Sequence, residues 1–348
     1  LSSEHDERGA TAQRAGVAVL TEGAAQRKPL ALPTHPTVAI VAPASSAQQQ
    51  RLDAGAAALE KRGWHVRFGA HAQGRHLPYF SADPADRLAD LHAAFADRSI
   101  DAILCTRGGY GSNYLLAGID LDLVRANPKP LLGYSDLTAL QSWLLDQTGL
   151  VQFHAPMLAA DFYLPDGVDE PSLSAVLSGR THTYGAAEGL RWLRSSRSAI
   201  AAQHIAEDVA VEGVLHGGCL TLLAASLGTP FAPQLEGKLL FLEDVGTKPY
   251  QIDRMLRQLV LAGKLRGVTG IVFGEMQGCA SPGAPTDLFE QAVLHALRDF
   301  PGPIATGLRS GHVSRANVTL PLGVRARLAG AGETPTLELL EPAAALRV

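Results

Sequence analysis

The sequence predicts an α/β fold built on a parallel sheet, and three observations carry that prediction. Short continuous apolar runs recur between segments of helical spacing, the pattern of strands buried on both faces with helices packed over them. Hydrophobic residues make up 46% of the 348 and charged residues only 18%, so the chain can bury a sizeable core. It also carries 35 glycines and 21 prolines, above the roughly 12% of an average protein, so sharp turns should separate short elements. This length suits two domains or one large one.

The elements follow in order. Residues 1–36 are polar and Ala-rich and read as a flexible tail; the chain starts at Leu1 rather than Met, with no apolar stretch of signal-peptide length. Val38–Pro43 is a continuous apolar run ending in a turn, expected as a buried parallel strand. Gln50–Arg62 has helical spacing (Leu52, Ala56, Leu59) and stops at Gly63. Trp64–Phe68 is a second strand, Asp83–Asp97 a helix with Leu88, Leu91 and Phe95 on one face, and Asp101–Cys105 and Pro130–Gly133 two more strands. A first domain over 37–163 is therefore expected. From 164 to 208 charges, Ser, Gly and Thr mix without a period, which reads as a connection or insertion. A second domain, 209–348, should hold strands at Leu239–Leu242 and Val268–Phe273, helices at Tyr250–Ala262 and Thr286–Asp299, and short strands at its end.

Composition excludes several functions. A net charge of −4 argues against a general nucleic-acid binder, which needs a basic face. No run of about 18 apolar residues exists, so no transmembrane helix is expected. The three cysteines, Cys105, Cys219 and Cys279, form no CxxC pair, so neither a zinc scaffold nor a disulfide framework is expected, and the odd count fits a reducing compartment. No metal or other cofactor is expected.

Three motifs could carry chemistry. Thr106-Arg-Gly-Gly-Tyr-Gly-Ser-Asn113 follows a buried strand and precedes a helical segment. Such a loop can cradle phosphate, hold a nucleophilic Ser112 beside N–H groups that form an oxyanion hole, or simply turn with Ser112 as N-cap. Glu243 and Asp244 sit directly after an apolar strand, where open α/β sheets place their sites, although two acids there also suit a solvated turn. His312 follows Gly311 among turn formers and could act as a general base near neutral pH; His154 and His216 compete with it. A hydroxyl needs such a base, and the base an orienting acid, so the spacing permits a triad without showing one. The GxSxG of a conventional α/β-hydrolase is absent. Gly133-Tyr-Ser-Asp-Leu137 comes nearest but lacks the final Gly, and Asp136 is expected to cap the helix Leu137–Leu145.

Several motifs together resemble the LD-carboxypeptidases of the S66 serine peptidase family (muramoyltetrapeptide carboxypeptidases). They are Val41-Ala-Pro43, Arg107-Gly-Gly-Tyr-Gly-Ser112, Gly133-Tyr-Ser-Asp136, Gly217-Gly-Cys-Leu220, Gly228-Thr-Pro230, Leu242-Glu-Asp-Val245 with Lys248-Pro-Tyr250, Ile252-Asp-Arg-Met-Leu256, and Gly311-His312 with Asn317 and Leu320-Pro-Leu-Gly323. The resemblance spans Val38 to Gly323. Cys219 stands where many members carry Asn, and Thr247 where an acid is common.

The resemblance implies an N-terminal parallel α/β sandwich like a class I glutamine amidotransferase, plus a smaller, β-rich, swivelling C-terminal domain. It implies a Ser-His-Glu triad of Ser112, His312 and Glu243, without Asp244. The Asn113 N–H, with Gly108 or Gly109, would form the oxyanion hole, and Arg107 could either take a terminal carboxylate or brace the loop. The implied substrate is a peptidoglycan tetrapeptide that loses its terminal D-Ala during cell-wall recycling. A homodimer in the cytoplasm is implied, or in the periplasm if an upstream signal was removed. Two other functions fit the residues: hydrolysis of peptidyl or aminoacyl nucleotides, as in microcin-immunity relatives, where Trp192 could stack on a base; and non-catalytic binding of cell-wall peptides.

Overall fold

The computed structural model describes residues 24–194, 209–280, 283, 285, 287–330 and 334–347. The first half alternates as expected: β1 (Thr37–Val41), α1 (Gln49–Lys61), β2 (His65–Phe68), α2 (Pro84–Ala96), β3 (Ala102–Cys105), α3 (Leu121–Ala126), β4 (Leu131–Gly133), α4 (Thr138–Thr148) and β5 (Gln152–His154). Local chemistry sets the ends. Asp83 caps α2 by accepting from the Ala85 N–H, with Pro84 in the first turn. Gly149, left-handed at φ 70°, ends α4.

The second half holds α5 (Glu170–Leu177), β6 (Thr183–Tyr184), β7 (Arg191–Arg194), β8 (Val209–Cys219), α6 (Leu220–Ala225), β9 (Lys238–Glu243), α7 (Pro249–Leu261), β10 (Gly270–Gly274), α8 (Leu288–Ala296), β11 (Ile304–Leu308), β12 (Leu320–Leu322), β13 (Arg325–Gly330) and β14 (Thr336–Leu339). The strands form two sheets. One is six-stranded, in the order β12-β5-β4-β3-β1-β2; the other is eight-stranded, β6-β14-β13-β8-β9-β10-β11-β7. In the first, β1 to β5 run parallel and β12 closes one edge antiparallel. In the second, β8 to β11 are parallel and the flanking strands antiparallel.

The expected α/β fold, a parallel sheet with a second sheet beside it, is present; the second sheet has more strands and a parallel middle. Three expectations about the division of the chain change. The halves interlock, because β12 crosses into the first sheet. One continuous core contains Ile40, Leu104 and Phe153 of the first sheet with Leu215, Phe241 and Val272 of the second. The connection contains structure: β6 and β7 are the two edge strands of the second sheet, while 195–208 lie outside the described residues. Residues 24–36 are not a tail, since Arg27 bridges to Leu150 and Leu30 to Ala345; the expectation for 1–23 lies outside the described residues. Among the described residues no helix is long and apolar enough to cross a membrane.

Candidate active site

The site is assembled from strand ends, the places where open parallel sheets leave loops free to converge. β9 delivers Glu243 as its last residue, fully buried. Beyond β11 the chain turns through Ser310 and Gly311 to His312. The Glu243 Oε2 accepts from His312 Nδ1 at 2.7 Å and from the His312 backbone N–H at 3.1 Å. Gly311 is required between them: its φ is 95°, and a Cβ there would lie 2.7 Å from the Glu243 carboxylate. With Nδ1 bound to the carboxylate, the ring is oriented and Nε2 is left for a substrate-side partner.

Burial would raise the Glu243 pKa, but His154 and His312 on its two sides outweigh it and bring the carboxyl down to about 2. His154 is also fully buried; its Nε2 stands 3.8 Å from Glu243 Oε1, and its Nδ1 is 3.0 Å from the Ser310 hydroxyl. For His312 burial alone would lower the pKa. The hydrogen bond and charge of Glu243, joined by the charges of Asp244 and Asp161, reverse that and raise it. Asp244 is turned elsewhere: it accepts from the Thr221 N–H and hydroxyl and from the Thr247 hydroxyl, so it holds turns rather than the histidine.

Ser112 is where sequence reasoning and structure part. It is fully buried; its hydroxyl donates to the Asp136 carbonyl at 2.6 Å, and its N–H to the Asp136 carboxylate at 2.8 Å. Both of its polar groups brace a neighbouring turn, and it does not line the cavity that contains His312. Asp136 is thereby explained too: it sits in a 3-10 turn ahead of α4 and does not cap it. Asn113 is exposed and does not line the same cavity.

The serine that does line this cavity of about 180 Å³ is Ser135, together with His312, Tyr134, Gly108, Gly109 and Arg107. Ser135 follows β4 at its carboxyl end and opens the 3-10 turn that runs into α4. Its φ is +65°, a left-handed conformation that strains a residue with a side chain by about 1–3 kcal/mol. A strand-to-helix turn strained in this way lifts a serine hydroxyl clear of the sheet. The Gly-rich loop packs directly against it: a Cβ on Gly108 would lie 2.7 Å from Ser135 Cβ, 2.9 Å from its Oγ and 3.1 Å from the Asp136 nitrogen. Two groups missed in the sequence also belong here. Arg51, from α1, lines the cavity with its guanidinium stacked 4.7 Å from the Tyr163 ring centre. Tyr134 is buried, with its ring 5.1 Å edge-on to the His312 ring. The signal for Ser135 was present in Gly133-Tyr-Ser-Asp136; the signal for Arg51 was not.

Other candidates fall away. His216 is buried and pairs with Asp146 at 3.0 Å. Trp192 lies in β7, paired with Ala305 of β11 and packed on the shared core. Cys219 is buried, and burial with the nearby Glu243 and Asp244 charges raises its thiol pKa well above the ordinary value. A larger cleft, of about 780 Å³, is lined by Asp146, Gln234, Lys238, Lys264 and Arg325 and contains none of the expected site residues.

Comparisons with known proteins identify the family. Residues 38–155 match the LD-carboxypeptidase N-terminal domain and residues 212–328 the LD-carboxypeptidase C-terminal domain. A probable murein peptide carboxypeptidase of Bacillus subtilis is 37% identical, covering 89% of this chain and 94% of its own. Among solved structures, a muramoyltetrapeptide carboxypeptidase from Oxalobacter formigenes is 30% identical with a TM-score of 0.72, covering 88% of this chain and 99% of its own. An MccF-like protein from Bacillus anthracis is 26% identical with a TM-score of 0.76, covering 90% and 99%. The chain belongs to the S66 family of LD-carboxypeptidases.

Proposed function

We propose that this chain is a serine LD-carboxypeptidase that releases the terminal D-Ala of murein tetrapeptides, with Ser135 as nucleophile, His312 as general base and Glu243 as the acid that orients it. The observation that carries this is the strained Ser135 turn in the same cavity as a histidine whose Nδ1 is held by a buried carboxylate.

The proposed steps are supported by Ser135 and His312 lining one cavity. Ser135 Oγ attacks the carbonyl carbon of the scissile amide while His312 Nε2 takes its proton. The resulting imidazolium is stabilised by Glu243, already ionised at a pKa of about 2. His312 returns the proton to the departing amine of D-Ala, and water then hydrolyses the acyl-enzyme by the same route. The oxyanion would be met by the Asp136 N–H, one residue past the nucleophile, and by a backbone N–H of Gly108 or Gly109. That assignment replaces Asn113 and keeps the glycines. Losing one such donor typically costs about 10²–10³ in rate. A small cavity bearing Arg51 and Arg107 suits a chain end with a free carboxylate better than the middle of a polymer.

Hydrolysis of an aminoacyl nucleotide would use the same three residues. Its expected base platform, Trp192, is built into the second sheet, which favours the peptide. The test is D-Ala release from murein tetrapeptide by wild type, Ser135→Ala and Ser112→Ala, with an aminoacyl sulfamoyl adenosine as the competing substrate. Release abolished in Ser135→Ala and kept in Ser112→Ala is the expected result. Hydrolysis of the nucleotide alone would overturn the substrate, and an active Ser135→Ala would overturn the nucleophile.

A further inference from the structure

One buried carboxylate at the junction of the two halves has no part in the steps above. Asp161 lies in a π-helical turn, Leu158–Phe162, and is 5% exposed. Its Oδ2 accepts from the Met157 N–H at 2.8 Å. Its Oδ1 accepts from Asn317 Nδ2 at 3.1 Å and faces the Tyr134 hydroxyl at 3.4 Å. Each contact leads to the site. Tyr134 directly precedes Ser135. Asn317, also fully buried, uses its Oδ1 to accept from the Gly311 N–H at 2.9 Å, and Gly311 directly precedes His312. The backbone around Asn317 is clasped by the same segment: its N–H donates to the Gly167 carbonyl, and its carbonyl accepts from Asp169.

We propose that Asp161 is a positioning residue, which through Tyr134 on one side and Asn317 on the other fixes the turn carrying His312 in register with the turn carrying Ser135. This rests on the assignment of Ser135, His312 and Glu243 as the reacting set. The two turns come from different sheets, 177 residues apart in the chain, and β4 and β11, the strands that lead into them, are not paired with each other among the described residues. The ionised carboxylate accepts from Asn317 on Oδ1 and Met157 on Oδ2, with Tyr134 facing Oδ1; a proton on Oδ2 would cost the Met157 contact and weaken acceptance at Oδ1. Ionised, it also adds a negative charge near His312 and favours the imidazolium formed during catalysis.

Burial raises the Asp161 carboxyl to about 7, with the Met157, Asn317 and Tyr134 hydrogen bonds and the His312 charge pulling the other way. The ionisable groups around it are Tyr134 and His312, with Glu243 acting on both and Arg107 on Tyr134. Its charge should therefore develop as pH rises through neutrality.

The experiment is steady-state D-Ala release from tetrapeptide as a function of pH for wild type, Asp161→Asn, Asn317→Ala and the double variant, with Ser135→Ala alongside. Misplacing a reacting group by about 1 Å can cost ~10²-fold. Asp161→Asn and Asn317→Ala should each lower kcat about 10–100-fold with KM little changed. The double variant should be scarcely worse than the poorer single, since both break one chain of contacts. The acid limb of kcat/KM should move to lower pH in Asp161→Asn, because one charge that raises the His312 pKa is gone; a residue that only supports the fold would not move it. Asn317→Ala keeps the Asp161 carboxylate and decides the matter if Asp161→Asn is too unstable to assay. Wild-type kcat in Asn317→Ala, or an unshifted acid limb in a folded Asp161→Asn, overturns the positioning role. An active Ser135→Ala would instead overturn the catalytic assignment on which the role depends.

Discussion

Two serine turns in this molecule invite comparison. Ser112 and Ser135 both follow a parallel strand of the first sheet, β3 and β4, and both precede a helical turn. Yet Ser112 lies on a loop with three glycines, is fully buried and spends its hydroxyl on the Asp136 carbonyl. Ser135 lies on a turn with one glycine, holds φ +65° itself and reaches the cavity shared with His312. On the proposed assignment, glycine richness marks the support rather than the nucleophile. Gly108 is small because Ser135 and Asp136 lie against it, Gly109 because the Ser45 hydroxyl does. The strain sits on the residue that must project.

The sharpest way to break this contrast is to remove each hydroxyl. Ser135→Ala should lower kcat by about 10⁴-fold or more, the scale of losing a triad nucleophile, with unchanged folding by circular dichroism. Glu243→Gln should cost about 10³–10⁴ in kcat, since it disturbs the His312 tautomer and removes the charge that supports its protonated form; pre-steady-state assays of acyl transfer would read it. Gly108→Ala should cost about 10² or more, as its Cβ meets Ser135 and the Asp136 nitrogen; a loss in kcat rather than KM is expected. In the pH profile of kcat/KM, activity should rise as His312 deprotonates. Because Glu243 raises its pKa, the midpoint should lie above 6.5 in wild type and fall in Glu243→Gln. Ser112→Ala should leave kcat within a few-fold. Its cost should appear in urea unfolding, at about 1–3 kcal/mol for the orphaned Asp136 carbonyl.

How much of this was legible in the sequence follows from the kind of force involved. β1, β3, β4, β9 and β10 were readable because strands buried on both faces need continuous apolar runs. α1, α2 and α7 were readable from their apolar faces. β7 was not: Arg191-Trp-Leu-Arg194 is an edge strand whose identity lies in pairing with Ile304 to Thr306, about 110 residues away. β12 was read as a strand, but its crossing into the first sheet beside β5 is a tertiary choice that three residues cannot announce. Glu243 and His312, which are hydrogen-bonded to each other, could be singled out because an acid at a strand end and a histidine after a glycine are local signals. Ser135 was passed over because a hydrolase template asks for Gly at position 137. Here Leu137 is a core residue, and close packing at this turn is supplied by Gly133, whose Cβ would press on Cys105 and Leu137. A positive φ on a serine is imposed by the fold and leaves no mark of its own in the sequence.

The most direct test of the account is to find which hydroxyl becomes acylated. A serine-directed fluorophosphonate would be reacted with the wild-type protein, followed by trypsin digestion and mass spectrometry. Arg125 separates the two candidates into different peptides. The account predicts one adduct, on Ser135, lost in Ser135→Ala and weakened in Glu243→Gln. An adduct on Ser112, or labelling that survives Ser135→Ala unchanged, would contradict it.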